Sequence, residues 1–64
     1  MTQKELSDVE DAIGHECNII MICEELIISL EEDSLISFMK KEIKCHNKMK
    51  EKLLSLLEEK ANEW

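Results

Sequence analysis

The chain has no proline, no arginine and no tyrosine, one glycine (Gly14), one phenylalanine (Phe38) and one tryptophan (Trp64). Without proline and with a single glycine, it has few places for tight turns or bulges. The residues that dominate instead, Glu, Lys, Leu and Ile, are compatible with long helices, so the predicted fold class is all-α. Arginine is the side chain that forks onto phosphates and guanine edges, and its absence argues against sequence-specific reading of nucleic acid. Fifteen acidic residues against eight basic ones give a net charge of −7. That balance opposes nonspecific nucleic-acid binding and attraction to anionic membranes. It suits a soluble protein, or one whose partner is basic.

The longest apolar run, Ile19–Leu30, covers twelve residues with Glu24 and Glu25 in its middle, too short and too interrupted to span a bilayer. Met1–Asp11 is polar and charged and lacks the apolar stretch of a secretory signal. The expected location is therefore the cytoplasm. Cys17, Cys23 and Cys45, an odd number placed inside expected helices, are expected to be free thiols acting as small hydrophobes.

Sixty-four residues make one domain at most. A domain this small buries only about 60% of the surface its unfolded chain exposes, so outside help from disulfides, a metal or oligomerisation is expected. Two capping boxes of the form S/T-x-x-E stand near the start, Thr2–Glu5 and Ser7–Glu10. Ser7 is the favoured cap, because Asp8, Glu10 and Asp11 then meet the positive end of the helix dipole. Residues 2–6 are then a frayed extra turn.

Lettering the following residues as heptads puts Leu6, Ile13, Ile20 and Ile27 at a, and Val9, Glu16, Cys23 and Leu30 at d. Ala12, Ile19 and Leu26 at g, with Ile22 at c, widen the stripe beyond a two-helix seam toward a bundle face. Glu10, Asp11, Asn18, Glu24, Glu25, Glu31 and Glu32 cover the opposite side. The same phase carried past Glu32 would bury Ser34, Ser37 and Lys41. A new phase fits instead, with Ile36, Ile43, Lys50, Leu57 and Trp64 at a and Met39, His46, Leu53 and Lys60 at d. Leu35, Met49 and Leu56 lie at g. The phase break predicts an antiparallel αα-hairpin with helix 1 over 7–31, a turn at 32–33 capped by Asp33 or Ser34, and helix 2 over 34–62. No glycine marks that turn, so phase alone decides against one unbroken helix.

Folding about residue 33 sets Glu16 against Lys50 and Ile20 against His46. The Glu16–Lys50 layer is expected to fix register and antiparallel orientation, since a paired charge in an apolar seam costs less than a lone one. With helix 1 strongly acidic and helix 2 locally basic (Lys40, Lys41, Lys44, Lys48, Lys50 and Lys52), charge pairing between helices or between subunits is expected. A small anionic ligand on the lysines is weakly supported without arginine or stacking aromatics. Trp64 is expected as a bundle end-cap or a partner anchor.

Glu16, Glu42 and His46 are the candidate metal ligands, all inward-facing. This layout resembles half of a ferritin-like bundle, with Glu42 and His46 spaced i, i+4 where that family has Glu-x-x-His. The resemblance implies a divalent Fe, Mn or Zn ion as the alternative to an expected absence of any cofactor. Cysteine and histidine pairs at zinc-finger spacing are missing. Cys45 and His46 diverge on one helix, and no loop is long enough to build a pocket, so no catalytic residues and no enzyme activity are expected.

The chain is thus expected to be a small acidic binding or regulatory protein, an inhibitor, adaptor or sequestering module. It would associate with itself into a four-helix bundle or higher oligomer, with another protein as the further expected partner. Ile19, Ile22 and Leu26 are the expected self-association surface. A metal-binding bundle and a pure assembly element are the alternatives.

Overall fold

The computed structural model describes residues 1–61, which form two long helices, α1 (Gln3–Ser29) and α2 (Asp33–Ala61), packed against each other as a hairpin. The molecule is 49 Å long and only 15 by 11 Å across. The expected positions at 62 and Trp64 lie outside the described residues.

α1 starts one turn earlier than expected. Thr2, in extended backbone conformation, is the N-cap: Glu5 N–H donates to Thr2 Oγ1 at 3.1 Å, and Thr2 N–H donates to Glu5 Oε1 at 2.7 Å. Ser7, expected as the cap, lies exposed within the helix. The earlier start lets Leu6 and Val9 join the seam as half-buried helical residues.

The helix ends without a left-handed residue; among the described residues none has positive φ. Leu30 turns extended (φ −82°, ψ 142°), and its N–H donates to Leu26 O at 3.1 Å and Ile27 O at 3.3 Å. Those bonds satisfy orphan carbonyls that a C-terminal glycine commonly serves. Glu32 then opens α2. Its carbonyl accepts from Leu35 N–H and Ile36 N–H, both at 3.1 Å, and its carboxylate accepts from Ser34 Oγ at 3.0 Å. The cap position therefore falls on Glu32 rather than on Asp33 or Ser34, and Asp33 supplies negative charge to the first turn.

The heptad phases predict burial. Leu6, Val9, Ile13, Glu16, Ile27 and Leu30 are half-buried, and Ile20 and Cys23 are buried at 8% exposure each. Ile36, Met39, Ile43, His46, Lys50, Leu53, Leu57 and Lys60 are half-buried from α2. Among the described residues no side chain is fully buried and only Ile20 and Cys23 are nearly so, because two helices alone enclose a seam and no interior. No helix among the described residues is long and apolar enough to cross a membrane.

Candidate functional site

Two features stand out from the seam, a polar cluster at its centre and an uncovered apolar flank. The cluster is built by a d position on each helix. Glu16 enters from α1 and meets His46 of α2, with Nδ1 to Oε2 at 2.5 Å. A carboxylate only accepts, so the imidazole donates from Nδ1–H. Glu42, one turn before His46, sets its Oε2 at 3.6 Å from the other ring nitrogen, Nε2. The side chain of Glu16 is 17% exposed and that of Glu42 40% exposed, so the cluster runs from inside the seam out to one flank.

The expected Glu16–Lys50 contact does not form. The connection is Leu30–Glu32, centred two residues earlier than a fold about residue 33. Moving the centre by two moves Glu16's partner by four, one helical turn, from Lys50 to His46. Lys50 is half-buried at its core position and has no ion pair among the described residues.

Glu16, Glu42 and His46 do come together, but the two carboxylates bracket the imidazole. Each faces a different ring nitrogen, so an ion bound to Nε2 beside Glu42 would sit across the ring from Glu16. No group of three or more His, Cys, Asp or Glu side chains among the described residues is arranged to hold a metal ion. What this arrangement does chemically is hold the ring: a part-buried acceptor and a part-buried donor satisfy each other in an apolar seam.

Of the three thiols only Cys23 is buried. Cys17 and Cys45 are exposed, contrary to the expectation that all behave as core hydrophobes. Both lie off the a and d positions, so the seam has no place for them.

The apolar flank follows from helix geometry. In an antiparallel pair the g positions of both helices lie on the same side of the seam, with the c positions beside them. Here that side carries Ile19, Ile22 and Leu26 from α1 and Leu35, Phe38, Met49 and Leu56 from α2. Ile19 is half-buried; Ile22 is 57% exposed, Phe38 54%, and the other four are also exposed. All three expected self-association residues therefore stand on one face, and α2 doubles it. Phe38 was not foreseen there. Its c position, level with Ile22, was the available signal.

The depressions on the surface are shallow and open. One lies along α2 among Lys48, Glu51, Lys52 and Glu59; another lies between the helix ends at Met1, Glu5, Val9 and Lys60. Comparison of the chain with protein-family models, curated proteins and solved structures finds no match.

Proposed function

We propose that this chain is a noncatalytic protein-binding module that works as a self-associated helical bundle, inhibiting, adapting or sequestering a protein partner. The observation that carries this is the apolar flank, with Ile22, Leu26, Leu35 and Phe38 exposed together near the turn and Met49 and Leu56 exposed farther along the same side. Folded monomers seldom expose a continuous apolar surface without using it for association.

Magnitude supports the same reading. The chain exposes 5043 Å², whereas a compact monomer of 7.5 kDa exposes about 4,200 Å² by the usual scaling. The excess, about 800 Å², follows from the elongated 49 × 15 × 11 Å shape and is of the size one partner contributes to a standard protein interface. The surface depressions are open and shallow, as suits a protein-binding surface. The exposed acidic face of α1, with Glu10, Asp11, Glu24 and Glu25, suits a basic protein partner once the apolar flank is covered.

Native mass spectrometry at micromolar concentration tests the assembly and reports bound mass in the same measurement. A dimer or larger assembly is expected; a monomer across the range overturns the proposal. For the partner, reversing Glu10 and Glu24, which lie away from the apolar flank, to lysine is expected to abolish capture. Capture at the same level overturns the acidic-face assignment.

A further inference from the structure

We infer that the occupant of the apolar flank is a second copy of this chain, laid face to face with both turns at the same end, so that α1 of each copy runs along α2 of the other. This orientation rests on the self-association proposed above and adds to it a specific arrangement, which can fail independently.

Two hairpins can meet face to face about a two-fold axis in two ways. With the axis parallel to the helices, the turns share one end and α1 faces the partner's α2. With the axis perpendicular to the helices, the turns lie at opposite ends and α1 faces α1. All neighbouring helices are antiparallel in both, so backbone direction does not choose between them. Two other observations do.

The first is charge. The outer rim of the flank is formed by the f positions, next to c on the helix surface. On α1 these are Lys4, Asp11, Asn18 and Glu25, with Lys4 paired to Asp8 at the open end; on α2 they are Ser34, Lys41, Lys48 and Ser55, and all eight are exposed. The Glu16–His46 contact sets the level of one helix against the other. On that scale Glu25 falls within about one helical turn of Lys41, and Asp11 of Lys48. The shared-end dimer therefore lays an acidic rim on a basic one along both edges. The opposite-end dimer lays acid on acid and lysine on lysine, which is destabilising.

The second is where the apolar surface lies. Ile19, Ile22, Leu26, Leu35 and Phe38 crowd the half of the flank nearest the turn, with Glu42 the charged g residue among them, held against His46. The open half carries Asp8, Lys52 and Glu59 at c, all exposed. With shared ends, the apolar half meets its own counterpart. With opposite ends, it meets those charges and would desolvate them without partners.

A spin label at Glu31→Cys, in a Cys17→Ser, Cys45→Ala background that leaves only the buried Cys23, reads the orientation by pulsed electron resonance. With shared ends the two labels sit within about 20 Å, given interaxial spacings of 8–10 Å. With opposite ends they sit about 40 Å apart, the length of a helix the size of α1 at 1.5 Å per residue. A dimeric mass with the long distance overturns the orientation and leaves the self-association standing; a monomeric mass overturns both.

Charge reversal gives a second readout that needs no label. E25K and K41E should each raise the dimer dissociation constant by about three- to tenfold, since the two-fold repeats the contact. The double variant E25K/K41E should restore it. No change or a lowered constant in either single variant, with helix content by circular dichroism unaltered, overturns the arrangement, because opposite-end packing sets Glu25 against an acidic rim and Lys41 against lysines, so each reversal there relieves a like-charge contact.

Discussion

The two flanks of this hairpin share the same helices and the same seam, yet differ in how they use their hydrophobic residues. On the g and c side, Ile22, Leu26, Leu35 and Phe38 gather near the turn, with Met49 and Leu56 farther along the same side. On the e and b side, Met21, Ile28 and Leu54 stand singly among Glu10, Glu24, Glu31, Lys40 and Lys44. Ile28 is the most exposed large hydrophobe among the described residues, at 86%, against 57% for Ile22. Exposure therefore does not identify a binding surface. Contiguity does, because removing water from a patch requires neighbours that leave it together, while a single isoleucine amid charges gains little from any partner.

The sharpest way to break this comparison is to place a charge on the contiguous flank. Ile22→Lys should raise the dimer dissociation constant at least about a hundredfold, since it forfeits apolar burial worth roughly 1.5–3 kcal/mol per side chain and strands an ammonium in the interface. Sedimentation equilibrium checks it, and an unchanged dimer would remove the g and c flank from consideration.

The polar cluster sharpens the comparison from inside, because it grades from seam to flank. Glu16 makes the short bond to His46 and is mostly covered, so Glu16→Ala should cost about 1.5–3 kcal/mol in urea denaturation, as for hydrogen bonds to charged groups. Glu42 is farther from the ring and more exposed; Glu42→Ala should cost less than about 1 kcal/mol. Equal costs would mean that the ring is held as much from the flank as from the seam.

The start of α1 lies at the open end of both flanks and depends on neither. Thr2→Ala removes the acceptor for Glu5 N–H and should cost about 1 kcal/mol in thermal or chemical denaturation. The backbone N–H of Thr2, then its side chain, holds the Glu5 carboxyl below its ordinary value of 4.5. A carboxyl lowered in the folded state stabilises the fold above its unfolded value, and that stability is lost as pH falls through the lowered one. In Glu5→Gln the acid-side loss of stability should be shallower than in the parent.

Much of this was legible before any coordinates, and the rest failed for identifiable reasons. The heptad letters anticipated the seam down to the half-buried Lys50 and Lys60, because burial between two helices follows the 3.5-residue period closely. The break in that period placed the connection to within two residues. Two residues are enough to exchange Glu16's partner, and no glycine or proline was there to fix the turn. Leu30 ends α1 in ordinary extended backbone, a conformation with no sequence signature of its own. The choice of Ser7 over Thr2 weighed acidic residues in the first turn and left out Leu6, whose place on the seam favours the longer helix. Ile19, Ile22 and Leu26 were visible as surplus apolar width on helix 1. The matching half on helix 2 needed the additional step of putting both g rows on one side.

The charged flank, if it is only a solvated surface, should accept changes that the other side does not. Gly14 lies there in mid-helix, with open space where a β-carbon would go. Gly14→Ala should stabilise the protein by about 0.5–1 kcal/mol through helix propensity alone. Ile28→Lys is the matched control for Ile22→Lys: the same substitution on the same helix, six residues along. It should move stability by less than about 0.5 kcal/mol, the usual range for surface changes, and leave the dimer dissociation constant unaltered. Dissociation on Ile28→Lys with Ile22→Lys tolerated would reverse the assignment of the two flanks and put the interface on the side where α1 is acidic and α2 carries Lys40 and Lys44.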